Sequence, residues 1–201
     1  LMVIVGVIPT VVGLKIRAAQ IDTPRAAGAM ALREAEREGL DALAALAGDE
    51  DILPVGRARA ALAAADEELD TGDLGQAEEL LATAEAQATA SARRELELTV
   101  TASHAALAEQ RGEFAEAGRR YRQVADQTAT GMRGLNLIAS LGAARCDLAQ
   151  AEASDDPAVQ AELRRAAHET FRYAGEADLG NAEQLIDYAR FQRYQLERRH
   201  P

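Results

Sequence analysis

Asp73-Leu74-Gly75-Gln76-Ala77-Glu78-Glu79-Leu80-Leu81 returns as Asp178-Leu179-Gly180-Asn181-Ala182-Glu183-Gln184-Leu185-Ile186. Carried three residues further, to Ala84 and Ala189, the two segments agree at 7 of 12 positions. Self-similarity at long spacing marks a chain that stacks one supersecondary unit, because a single unit cannot bury its apolar face alone. Working outward from the first copy, turn residues punctuate the chain at Thr71-Gly72, Arg111-Gly112, Thr130-Gly131 and Asp155-Asp156-Pro157. They predict helices over 55–70, 74–90, 92–110, 114–130, 134–152, 157–174 and 179–198. A further helix is predicted to start at Thr23-Pro24 and run to Ala47, stopping at Gly48.

Each segment repeats apolar residues at three- and four-residue steps, the helical period. Leu74, Ala77, Leu81 and Ala84 lie on one stripe, as do Leu96, Val100, Ser103 and Leu107. Phe114, Ala117, Tyr121 and Val124 form another. A fourth, Ile138, Leu141, Arg145 and Leu148, is interrupted by its arginine. Alanine is abundant, Trp is absent, and β-branched runs are confined to the N-terminus. Alanine favours helix and lets backbones approach closely. The fold class is therefore all-α. Short loops between helices of equal length make neighbours antiparallel.

Gly72-Asp73-Leu74-Gly75-Gln76-Ala77, followed by Leu81 and Ala84, resembles the turn and second helix of a tetratricopeptide repeat. Gly112-Glu113-Phe114-Ala115-Glu116-Ala117, followed by Tyr121, repeats the pattern 40 residues later. Leu141-Gly142 resembles the Leu-Gly pair in the first helix of such repeats. The spacing departs from the usual repeat of about 34 residues, Ala61 and Thr101 stand where a bulky residue is expected, and the closing proline is missing. The resemblance covers 55–176. It implies a right-handed α-solenoid of about three antiparallel hairpins that binds a protein or peptide along a groove. The second copy, at 178–189, falls one helix out of step. It reads as a closing helix over 177–201, since end repeats are atypical.

Residues 1–17 form a separate apolar segment, Leu1 to Leu14 being uncharged and followed by Lys15 and Arg17. A membrane anchor, a signal peptide and a buried core segment compete for it. The missing basic lead disfavours the signal peptide, and the stop at Lys15 and Arg17 favours the anchor. The basic pair would then place the remainder of the chain on the cytoplasmic side; the alternative is a soluble cytoplasmic protein. A leading helix and an acidic loop, 18–53, connect this segment to the repeats at 54–176.

The chain carries a net charge of -11, which excludes nucleic acid as a partner of the whole body. Cys146 is the single cysteine and reads as a buried, inert thiol. His104, His168 and His200 share no metal-ligand spacing, and Asp49-Glu50-Asp51 lacks the glycine and length of a calcium loop. No phosphate-cradling loop or nucleophile elbow appears, so no catalytic, metal or cofactor residue is assigned. The local anomaly is the C-terminus. Five of the seven aromatics lie between Phe171 and Tyr194, with arginines interleaved. Tyr188, Phe191, Arg193, Tyr194, Arg198 and Arg199 are the candidate partner-binding residues. They would either complete the core at the end of the stack or dock on an acidic partner or on anionic lipid headgroups. The sequence therefore predicts a non-catalytic scaffold for protein–protein interaction, tethered to a membrane. A structural accessory subunit of a membrane complex and a soluble regulatory repeat domain are the alternatives.

Overall fold

A computed structural model describes residues 23–176 and 183–199. The apolar segment 1–17 and the start of the second Asp-Leu-Gly copy, 178–182, lie outside the described residues. Within them the chain is all-helical. The elements are α1 (Thr23–Glu38), α2 (Leu40–Gly48), α3 (Pro54–Thr71), α4 (Leu74–Ser91), α5 (Arg94–Gln110), α6 (Phe114–Thr128), α7 (Arg133–Ala153), α8 (Pro157–Gly175) and α9 (Glu183–Arg199). The chain divides into two compact units, Leu1–Ser103 and His104–Pro201.

In the first unit, the helix expected to run unbroken to Ala47 is two helices. Gly39 sits at φ 98 and separates α1 from α2, a backbone conformation that only glycine adopts without cost. α3 packs chiefly on α4. Ala58, Ala61, Ala64 and Ala65 of α3 are fully buried, as are Ala77, Leu81 and Ala84 of α4. The turn between these helices follows the sequence closely. Gly72 caps α3 at φ 88, and the Asp73 carboxylate accepts the Gln76 N–H at 3.0 Å to start α4. Those two devices satisfy backbone groups that a helix end leaves open.

In the second unit, α6 packs on α7, α7 on α8 and α8 on α9. Gly112, at φ 78, precedes α6 as Gly72 precedes α4. The α6–α7 contact is antiparallel. Asn136 Nδ2 donates to the Ala125 carbonyl at 2.7 Å near one end, and Gln150 Nε2 reaches the Phe114 carbonyl at 3.4 Å near the other. α8 opens at Pro157, with the Asp156 carboxylate accepting from the Ala158 N–H at 2.8 Å. Leu137, Leu141 and Ala144 of α7, Ala167, Phe171 and Ala174 of α8, and Ala189 of α9 form one apolar cluster. Phe171 is fully buried at its centre, which stabilises the fold by about 2–3 kcal/mol. From α6 to α9 each helix thus packs on the next, a packing compatible with a helical solenoid.

Candidate functional site

α9 has two unlike faces. Ile186 and Ala189 are buried, with Leu185, Tyr188 and Leu196 packed against the α7–α8 cluster. The opposite face carries Phe191 and Tyr194, 55% and 52% exposed. Large aromatics in water on a helix whose other side is already buried mark a surface that a fold does not need for itself.

The six candidate residues separate accordingly. Tyr188 turns inward, its ring edge-on to Phe171 with centroids 6.2 Å apart and an interplanar angle of 84°; burial pushes its phenol above the ordinary range. Phe191 and Tyr194 face out. Arg198 lies over the Tyr194 ring, its guanidinium carbon 5.7 Å from the centroid, within cation–π range. Arg193 bonds Glu197 at 3.1 Å and approaches Glu176 at 4.0 Å. Arg199 ends α9, and its side chain lies outside the described residues.

A shallow groove of about 510 Å³ runs between the end of α8 and α9. Gly175, Glu176, Arg190, Arg193, Tyr194 and Glu197 line it. Arg190 bridges the two helices: its Nε donates to the Gly175 carbonyl at 3.0 Å, and its Cγ lies 3.1 Å from where a Cβ on Gly175 would stand. Local carboxylates answer most of the arginines here. Arg190 meets Asp187 at 3.4 Å, Arg172 meets Glu176 at 3.6 Å, and Glu197 also takes His168 at 3.2 Å. The segment that reads as basic in sequence is therefore a field of alternating charges.

Buried and half-buried polar groups of the second unit hold helices together. Arg145 of α7 meets Glu109 of α5 as a fork, Nε to Oε1 and Nη2 to Oε2, both at 2.7 Å. The Tyr121 hydroxyl of α6 donates to Glu109 Oε2 at 3.1 Å. Burial opposes the Arg145 charge, but the Glu109 carboxylate more than offsets this and holds its pKa above the ordinary value. Burial, with Glu109 beside it, pushes the Tyr121 phenol well up. Arg122 reaches Asp147 across the α6–α7 contact. Cys146 is fully buried and its thiol is pushed up to about 12, chiefly by burial, so it is neither exposed nor a thiolate near neutral pH. His104, on α5, is half-buried. Among the described residues no cluster of His, Cys, Asp or Glu could hold a metal ion.

In the first unit, sequence reasoning passed over Asp66. It follows the alanine-rich run of α3, its Oδ1 is enclosed without a hydrogen-bond partner, and burial together with nearby Asp70 pushes its carboxyl up to about 8. The available signal was that Asp66, the first of the three acids Asp66-Glu67-Glu68, directly follows Ala63-Ala64-Ala65.

The chain matches no protein-family model, no curated protein and no solved structure. Among the described residues no helix is long and apolar enough to cross a membrane.

Proposed function

We propose that this protein is a non-catalytic, tetratricopeptide-like scaffold for protein–protein interaction, with α9 as its principal docking element. The observation that carries this reading is the exposed aromatic face of α9, Phe191 and Tyr194, on a helix whose other face is already buried. Aromatic and arginine side chains dominate interface energetics, and here Arg198 is stacked on Tyr194. The half-buried ion pair supports the same reading. Glu109, Arg145 and Tyr121 are engaged with one another, which fixes helix register instead of offering a reactive group.

The further architecture proposed is a right-handed solenoid of about three hairpins over 54–176, closed by α9. The glycine-terminated turns at Gly72 and Gly112 and the buried Ala77 and Ala117 support it. Residues 1–17 are proposed as a membrane tether on the strength of their uncharged run, with the helical body on the cytoplasmic side.

The test is the triple variant Arg193→Gln, Arg198→Gln, Arg199→Gln in the full chain. The reading expects binding to co-purifying protein to fall while the helical circular dichroism is unchanged. Binding equal to that of the parent chain rules α9 out as the docking element. Membrane fractionation with and without residues 1–17 tests the tether, which predicts loss from the membrane pellet on deletion.

A further inference from the structure

The exposed face of α9 is complementary to itself. Gln184, Asp187, Phe191, Tyr194 and Arg198 are all exposed, and they recur at alternating steps of three and four. That is the spacing of a seam along which two helices pair. The residues behind the seam, Leu185, Ile186, Ala189 and Leu196, are those that pack on the body of the unit. The seam is therefore free while the helix stays docked. It carries an acid toward the N-terminal end, two aromatics in the middle and a base toward the C-terminal end.

We propose that the occupant of this face is a second copy of the chain, its α9 laid antiparallel on the first about a two-fold axis between residues 192 and 193. This rests on the reading of α9 as the docking element and names its partner. A two-fold contact makes each pairing occur twice, residue i on j and j on i. The axis sets Phe191 against Tyr194 of the second copy, and Asp187 against Arg198 of the second copy. In the middle of the seam aromatic then meets aromatic, and on either side of it acid meets base. A parallel arrangement would instead place Asp187 on Asp187 and Arg198 on Arg198, which is repulsive.

The charges are free to make the exchange. Asp187 touches Arg190 only at 3.4 Å, with side chains 74% and 64% exposed, and such open pairs contribute little. An acidic protein is the less favoured occupant, since Glu176, Asp187 and Glu197 stand among Arg190, Arg193 and Arg198 and leave little excess positive charge for it. The seam spans about 21 Å at 1.5 Å per residue. A contact that small sits at the weak end of stable interfaces, so the dimer is concentration-dependent. It also forms against the repulsion of two chains of charge -11, which physiological salt screens within about 8 Å.

Sedimentation equilibrium of the full chain in mild detergent, at roughly physiological salt and up to about 100 µM, a range that captures weak contacts, tests the proposal. A reversible monomer–dimer equilibrium is expected. Asp187→Arg alone and Arg198→Asp alone should each weaken it at least about tenfold, equivalent to about 1.4 kcal/mol. The double variant carrying both changes should restore it, because the dyad then juxtaposes the exchanged charges. These positions are exposed, so the variants should keep the parent circular dichroism; Phe191→Ser with Tyr194→Ser supplies a second disruption independent of charge. A chain that stays monomeric throughout overturns the proposal, as does a dimer indifferent to all four changes, which would locate association in another surface such as residues 1–17. A monomer that still captures a different protein through α9 overturns the second-copy occupant while leaving α9 as the docking element. A monomer that captures nothing through α9 removes both.

Discussion

Gly142 of α7 faces the ring of Tyr121 on α6 so closely that a Cβ there would lie 2.6 Å from its Cε2 and Cζ atoms. Tyr121 is itself 2% exposed and tied through its hydroxyl to Glu109, so the ring has nowhere to retreat. A methyl group at this point forces the helices apart. Gly142→Ala is expected to destabilise the protein by about 1–3 kcal/mol, the usual cost of overpacking. A urea melt of the variant, with the parent as reference, reads this as a lowered midpoint at unchanged slope.

The Arg145–Glu109 fork predicts an asymmetry between single and double replacement. Arg145→Met or Glu109→Gln alone leaves a charge without its partner. The pair is partly open to water, with side chains 34% and 19% exposed, so each should cost about 2–3 kcal/mol, below the loss for a fully buried pair. The combination Arg145→Met, Glu109→Leu should recover much of that loss. A double-mutant cycle by chemical denaturation measures it.

Asp66 predicts a pH dependence of definite sign. Its carboxyl stands at about 8 in the folded chain against an ordinary value of 3.8, so the folded state holds the proton more tightly than the unfolded one. The stabilisation is complete below the unfolded value and is lost as pH rises through the folded one, by at most about 1.4 kcal/mol per pH unit. Asp66→Asn should flatten the dependence between those values and leave the variant more stable than the parent at about pH 9. Urea midpoints across that range decide it.

The turn before α4 predicts a smaller effect. The Asp73 carboxylate caps Gln76 N–H at 3.0 Å, and Asp73→Ala should cost about 1 kcal/mol. Gly72, at φ 88, should tolerate Ala worse, by about 1–2 kcal/mol for a side chain in the left-handed region. Thermal melts of the two variants should rank them in that order.

Legibility in the sequence tracked the locality of the physics. Gly72, Gly112 and Asp156-Pro157 act within one turn of where they stand, so the helix ends they dictate could be read directly. Gly39 could not. A glycine inside a helix costs only about 1 kcal/mol, and nothing local distinguishes an interior glycine from one that stops the helix. Arg145 was visible as a break in an apolar stripe, but its partner Glu109 lies 36 residues away, and only packing brings the two together. The C-terminal aromatics read as one patch. Which side of α9 each occupies depends on how α9 rests on Phe171 and Ala174, and that sends Tyr188 in and Phe191 out. The arginines there read as a basic end although Asp187 and Glu197 answer them from the same helix, and Glu176, at the end of α8, joins them only through packing.

The most direct test of α9 as a docking element is oxidative footprinting of Phe191 and Tyr194. Hydroxyl-radical labelling would be compared between the dilute purified chain and the concentrated native extract, with exposed Met30 of α1, 69% accessible, as the internal reference. If α9 docks a partner, both rings react readily in the dilute chain and are protected severalfold in the extract while Met30 is not. Equal labelling of Phe191 and Tyr194 in the two conditions, relative to Met30, would contradict it.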